Sequence, residues 1–142
     1  DEIEHGILRR DWNRLKKGNA ADINQKKLIQ QFAVTKTDYR IHFALNCGAR
    51  SCPPIAFYTY LQIDRQLDVA TRSFMHNNTK IDDARKEVTV TQLIEWFIKD
   101  FGGGKGVRKI IQKVIKKNVS GYKILFSEYN WEEDLRNFTE EK

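Results

Sequence analysis

The residues of this chain that are best suited to chemistry lie together in Arg40 to Pro54, RIHFALNCGARSCPP. Cys47 and Cys52 flank a short turn in this segment, and His42 precedes both of them. Nucleophilic thiol chemistry requires a cysteine held partly as thiolate, a base within hydrogen-bonding reach and donors for an oxyanion. The segment contains candidates for all three, so we predict that it forms the functional centre of the protein.

The alternation of residues 39–46 predicts a β-strand, in which alternate side chains share a face. The residues on its apolar face would be Ile41, Phe43, Leu45 and Cys47. His42 and Asn46 would lie on the opposite face, and Cys52 could fold back toward them after the turn. On these grounds Cys52 with His42 is a better thiol and base pair than Cys47 with His42.

The turn between the cysteines is a candidate anion or oxyanion site. Its backbone N–H groups could form a cradle, with an arginine beside them. The candidate residues are Gly48, Arg50, Ser51 and Asn46. If Pro53 opens a helical turn, the Cys52 thiol also lies at a helix N-terminus, where its pKa would be lowered.

Other interpretations of the two cysteines stay open. A four-residue turn between them suits a disulfide if their Cβ atoms come within about 4 Å. A redox role is a further possibility, although the spacing is not the C-x-x-C of the familiar oxidoreductases. The spacing is wide for zinc, and completing a site would need histidines from distant positions, so we predict neither a metal nor a cofactor.

His5 is the second candidate base, because Glu4 could orient its ring or shift its pKa if both enter a cleft. The more ordinary interpretation of such a histidine is a surface residue on a helix. We keep it as a candidate catalytic residue with Cys52, Cys47 and His42.

Length and charge limit the classes of partner. The 142 residues are enough for one ordinary domain, and no apolar run approaches the ~20 residues of a membrane span. The net charge of +6 is concentrated in the basic stretch from Lys105 to Lys117. No base-stacking aromatic residue interleaves its lysines, so we predict no nucleic-acid partner and interpret the stretch as a solvated helix face.

Periodicity predicts an α/β (α+β) fold with a small mixed or antiparallel sheet packed by several helices. Asp64 is a plausible cap for a helix closed by Asn77 and Asn78, and Thr91 can cap another. Gly102 to Gly104 would end that second helix before the basic helix begins. The predicted strands, besides residues 39–46, are at Ile81, Glu87 to Val90 and Tyr122 to Phe126.

The segment RIHFALNCGARSCPPI, with DEIEHGILR, LDVATRSFM and IEWFIKDFGG, closely resembles domain of unknown function family 547 along most of the chain. The resemblance implies a mainly bacterial family, often exported, without an established reaction, and so favours a periplasmic or secreted location. The domain of that family usually has an aromatic- and asparagine-rich portion before DEIEHGILR. We therefore expect residues 1–142 to be either one domain or the C-terminal part of a longer one, with the missing N-terminal portion as a partner. Residues 132–142 are expected to form a frayed acidic tail.

Two functional hypotheses follow, and the residues specify no substrate for either. The first is a thiol-dependent hydrolase or acyltransferase with Cys52 or Cys47 as nucleophile and His42 or His5 as base. The alternative is a non-catalytic extracytoplasmic binding module, in which a Cys47–Cys52 disulfide shapes a recognition loop around Arg50.

Overall fold

A computed structural model describes residues 2–11 and 23–139 of the protein. The chain forms two compact units, residues 1–39 and 40–142. The first unit contains a π-helix, Glu2–Leu8, and helix α1, Ile23–Phe32. The Val34 N–H donates to the Ile7 carbonyl at 3.0 Å, which ties the segment after α1 to the π-helix.

The second unit is built on a mixed three-stranded sheet of β1 (Lys80–Asp82), β2 (Glu87–Val90) and β3 (Lys123–Phe126). The central strand β2 pairs antiparallel with β1 and parallel with β3. A parallel pair needs a long crossover, and helices α3 (Gln92–Trp96) and α4 (Gly103–Ile115) supply it. The predicted α+β class with a small mixed sheet is confirmed.

Helix α2, Ile63–Asn78, precedes the sheet and packs against α4. Both helices are amphipathic and bury one face, which is why their apolar residues recur at helical spacing. The buried side chains of α2 are Leu67, Thr71, Phe74 and Met75, and those of α4 are Val107, Ile110 and Ile111. In β2, Val88 and Val90 point into the same core and are fully buried. No helix of the described residues is both long and apolar enough to cross a bilayer.

The predicted strand at residues 39–46 is wrong. Tyr39–Phe43 forms a 3₁₀-helix, and the N–H groups of Ala44 and Leu45 both donate to the Ile41 carbonyl at 3.0 Å. The backbone is thus satisfied locally, and neighbours in sequence can both be buried, as His42 and Phe43 are. A short apolar run does not distinguish a strand from a helical turn by alternation alone.

Arg40 fastens the 3₁₀-helix to the first turn of α2. Its guanidinium lies 2.8 Å from an Asp64 carboxylate oxygen and 2.9 Å from one of Asp68. The predicted role of Asp64 as helix cap is therefore corrected, since the helix begins at Ile63 and Asp64 is an ion-pair partner instead.

Gly102 to Gly104, predicted to end a helix, instead lie at the start of α4. Gly102 has a φ of 77° and precedes the first residue of α4. Gly106 lies in α4 at the point where the helix passes close to the carbonyl oxygen of Phe101. A Cβ on residue 106 would lie 1.9 Å from this oxygen. Only glycine allows so close an approach of the helix to the preceding turn.

Candidate functional site

The candidate site contains two thiols that share one tyrosine. The Tyr129 hydroxyl lies 3.1 Å from Cys52 Sγ and 3.6 Å from Cys47 Sγ. The Cys47 N–H also donates to Cys52 Sγ at 3.1 Å. The turn between the cysteines therefore brings both sulfur atoms to a single hydroxyl group from a segment far along the chain.

The exposure of the two thiols is opposite to the sequence-based expectation. Cys47 is exposed, whereas Cys52 is buried, with 3% of its surface accessible. Because residues 39–46 are not a strand, their alternation does not assign Cys47 to the core. Pro53 is outside any helix, so the predicted helix N-terminus at Cys52 is also wrong.

The surroundings of Cys47 favour its thiolate. Partial burial by itself would raise the pKa of Cys47, but hydrogen bonds from the Cys52 thiol, the Ala49 N–H and the Tyr129 hydroxyl outweigh it, and the pKa is lowered. Burial, followed by hydrogen bonding to Cys52 and Cys47, raises the pKa of Tyr129. At neutral pH Tyr129 therefore keeps its proton and can donate it to a thiolate. Because Cys47 is exposed and Cys52 is buried, Cys47 is the more accessible of the two thiols.

Both cysteines are free, so the disulfide expected to shape the loop is absent. Hydrogen bonds to residues 130–139 instead hold residues 46–55, the cysteine loop, in place. The Arg50 N–H donates to the Glu132 carbonyl at 2.7 Å, and the Ile55 N–H donates to the Asn137 carbonyl at 2.7 Å. The acidic segment expected to fray thus pairs with the cysteine loop as far as Thr139, and residues 140–142 lie outside the described part of the chain.

The predicted anion cradle has its donors engaged within the protein. The Gly48 N–H donates to Asn46 Oδ1 at 2.6 Å, the Ser51 N–H donates to the Asn130 carbonyl at 3.2 Å, and the Arg50 N–H is paired as described. The Arg50 guanidinium lies 2.7 Å from the Glu132 carboxylate. These residues shape the loop, and their backbone N–H donors already have acceptors.

Asn46 ties the two ends of the cysteine loop together. Its amide Nδ2 donates to the Pro53 carbonyl at 2.6 Å, while its Oδ1 accepts from Gly48. Gly48 has a φ of 86°, a conformation that favours glycine. The structure therefore brings Asn46 to the Cys52 side of the loop, as a positioning residue for the turn.

His42 belongs to a buried pair beside the loop. Its Nε2 lies 2.9 Å from Asp100 Oδ2, and its ring stacks on Phe97 with centroids 4.1 Å apart. Phe101 contacts the same ring at 5.4 Å. Within the described residues neither thiol has a hydrogen bond to a histidine. The structure therefore gives His42 a carboxylate that orients its ring.

His5 is buried in the first unit and is held by its own helix. Arg9 Nη1 donates to His5 Nδ1 at 2.6 Å, and Glu4 Oε1 lies 3.8 Å from the same nitrogen. A guanidinium has no acceptor, so Nδ1 must be the unprotonated nitrogen of the ring. Glu4, predicted to orient His5, lies close to the ring, and Arg9 makes the shorter contact with it.

Aromatic side chains surround the hydroxyl that joins the thiols. The Tyr129 ring contacts Trp96 at 4.7 Å and Trp131 at 4.6 Å between centroids, and the two indoles stack at 5.5 Å. Sequence reasoning missed Tyr129, because its only signal is an aromatic pair, Tyr129 and Trp131, between the predicted last strand and the predicted acidic tail.

A cavity of about 200 Å³ lies between the cysteine loop and α2. Its lining includes Cys52, Arg50, Phe74 and Tyr58. The Tyr58 hydroxyl is buried and has no hydrogen-bond partner among the described residues. Within residues 2–11 and 23–139, no three His, Cys, Asp or Glu side chains are grouped to hold a metal ion.

The segment that carries both cysteines matches a protein family of unknown function. Residues 1–75 match the family described as a protein of unknown function, DUF547, and the chain belongs to that family. The match includes both cysteines and His42, whereas Tyr129 lies beyond it. Comparisons with curated proteins and with solved structures gave no match.

Proposed function

We propose that the protein is a thiol enzyme of the redox type, in which Cys47 attacks a disulfide and Cys52 resolves the product. The observation that supports this best is the shared Tyr129 hydroxyl, which lies within hydrogen-bonding distance of both sulfur atoms. An exposed thiol with a lowered pKa beside a buried second thiol is the arrangement that sequential thiol–disulfide exchange requires.

The reaction balances within the dithiol. The Cys47 thiolate attacks a substrate disulfide, one substrate thiolate leaves, and a mixed disulfide remains on Cys47. The Cys52 thiol then loses its proton to solvent and attacks Cys47 Sγ, which releases the second substrate thiolate and forms a Cys47–Cys52 disulfide. The substrate gains two electrons and the protein dithiol loses two. The extracytoplasmic location implied by the family resemblance is compatible with such chemistry, because disulfides persist there.

A reaction of the reduced protein with 2-hydroxyethyl disulfide tests the assignment. The chain has only two cysteines, so each product is identifiable by mass. Wild-type protein should lose both thiols and carry no adduct, whereas Cys52→Ser should accumulate the mixed disulfide on Cys47. Cys47→Ser should react far more slowly than either. An adduct that forms first on Cys52, or equal rates for the two serine variants, would refute the proposal.

A thiol-dependent hydrolase or acyltransferase is the second candidate, and the buried His42–Asp100 pair favours it. Such a pair is typical of a base held in one orientation by a carboxylate. In this candidate function Asp100 would hold His42 as the base that accepts the proton of the thiol. Steady turnover of p-nitrophenyl acetate that is lost in both Cys47→Ser and Asp100→Asn would support this candidate, and a single stoichiometric acylation would count against it.

A further inference from the structure

Trp96, Tyr129 and Trp131 form an exposed aromatic surface beside the thiols. Trp131 is 66% exposed and Trp96 is 43% exposed, although their rings are in contact. Large aromatic side chains dominate the energetics of binding surfaces, and adjacent exposed indoles carry a large apolar area. Two stacked and exposed indoles next to a reactive group therefore point to a ligand that covers them.

The aromatic surface is continuous with the nucleophile. The Tyr129 ring touches both indoles, and the hydroxyl of the same ring lies 3.6 Å from Cys47 Sγ. An extended peptide advances about 3.3 Å per residue, so a side chain one to three residues from a substrate cysteine could cover the indoles while its sulfur meets Cys47.

The charged residues that neighbour the aromatic side chains in sequence are mainly acidic, although Lys99, three residues after Trp96, is basic and exposed. Glu95 precedes Trp96, Glu128 precedes Tyr129, and both glutamates are exposed. Glu132 and Glu133 follow Trp131 and are exposed as well. The arginine that the structure places here, Arg50, is already paired with Glu132 at 2.7 Å. Aromatic faces also attract cations, so the rings and the surrounding carboxylates favour the same kind of ligand.

We propose that this aromatic surface selects basic polypeptide substrates, with an arginine or lysine side chain stacked on the exposed indoles and the substrate disulfide at Cys47. The proposal deepens the redox function and rests on it. It names the substrate class by chemistry: a polypeptide disulfide with a basic residue close in sequence to its cysteine. Glu128 and Glu133 attract the cation, and Trp131 provides the ring face.

Three short peptides, each joined through its cysteine to 5-thio-2-nitrobenzoate, provide the test. They differ only in the residues flanking the cysteine, which are arginine, serine or glutamate, and release of the coloured thiolate gives the rate. The arginine peptide should react about threefold to tenfold faster than the serine peptide, and the glutamate peptide more slowly. Trp131→Ala should abolish the preference for arginine, so that the arginine and serine peptides react at nearly the same rate.

Phe57→Ala is the matched control, because Phe57 is an exposed aromatic residue outside this surface. It should keep the preference. The double variant Glu128→Gln with Glu133→Gln retains every ring, and it should reduce the preference for arginine about twofold to threefold. This variant tests the proposal even if Trp131→Ala disturbs the loop.

The outcomes separate this proposal from the function on which it rests. Equal rates for the three peptides, or the fastest rate for the glutamate peptide, would overturn the selection of basic substrates and leave the redox function intact. Failure of Cys47 to react with any of them, or with 2-hydroxyethyl disulfide, would instead remove the redox function. An undiminished preference in both the tryptophan and glutamate variants would show that another surface selects the substrate.

Discussion

Removing the Tyr129 hydroxyl is the most direct test of how the site activates Cys47. Tyr129→Phe deletes the group that both thiols contact, while the ring that packs on Trp96 and Trp131 is retained. The remaining donors to Cys47 are the Cys52 thiol and the Ala49 N–H. We therefore expect the pKa of Cys47 to rise and its thiolate to be less populated at neutral pH.

The size of the effect follows from the geometry. A hydrogen bond to a charged group contributes roughly 1.5–3 kcal/mol, but Cys47 is exposed and its 3.6 Å contact is long, so about 0.7–1.4 kcal/mol is more realistic. This corresponds to about a threefold to tenfold loss of thiolate at neutral pH. A more basic thiolate is also intrinsically more nucleophilic, with a Brønsted coefficient of about 0.4–0.5, so the observed rate should fall only about twofold to threefold.

The assay is alkylation by iodoacetamide as a function of pH, followed in the Cys52→Ser background so that only Cys47 reacts. In Tyr129→Phe the midpoint of the profile should move to higher pH, and the plateau at high pH should rise. Tyr60→Phe is the matched control, because Tyr60 is 91% exposed and should leave the profile unchanged. An unshifted midpoint in Tyr129→Phe would refute the conclusion that this hydroxyl stabilises the thiolate.

Three further perturbations test the fold around the site. Gly106→Ala should lower the free energy of unfolding by about 1–3 kcal/mol in urea denaturation, because its Cβ would meet the Phe101 carbonyl. Gly104→Ala should lower it much less, because its Cβ would meet side-chain atoms rather than backbone, with Arg108 Nη1 at 3.2 Å and Ile124 Cδ1 at 3.8 Å. The free energy of unfolding should fall as the pH rises above about 10, because a tyrosine ionises there in the unfolded chain while Tyr129 stays protonated in the folded one. This fall should be smaller in Tyr129→Phe, and an equal dependence of the free energy of unfolding on pH in the two proteins would contradict the reasoning. Asn46→Ala should destabilise the protein by about 1–2 kcal/mol in thermal denaturation, and Asn46→Asp, which keeps the acceptor for the Gly48 N–H, should recover part of that loss.

Much of the second unit could be predicted from periodicity. The burial of Leu67 and Phe74 follows from their helical spacing, and the strands at Ile81 and Glu87–Val90 follow from β-branched residues on either side of a polar turn. The cap at Thr91 is confirmed, since its side chain accepts from the Leu93 N–H. These features depend on local interactions, which sequence patterns describe well.

The thiol site depends on interactions that are remote in sequence, and there the prediction was weaker. The motif identified both cysteines, but the alternation of residues 39–46 predicted the wrong exposure for their thiols. The segment forms a 3₁₀-helix instead of a strand, and the N–H groups that follow it bond to the Ile41 carbonyl. Nothing near Cys47 in the sequence indicates that its pKa depends on Tyr129, which follows strand β3 in the chain. A hydrogen bond across so many residues leaves no periodic signal.

The long-range backbone hydrogen bonds of the cysteine loop also determine when the site can form. The Asp134 N–H donates to the Gly48 carbonyl and the Thr139 N–H donates to the Ile55 carbonyl, so the closing contacts join segments separated by most of the second unit. Contacts of this kind form late in folding, because the entropy of closing a long loop must be overcome first. During synthesis Cys47 therefore emerges long before the hydroxyl that activates it. The contact between the Tyr129 hydroxyl and Cys47 can form only once these two remote segments have come together.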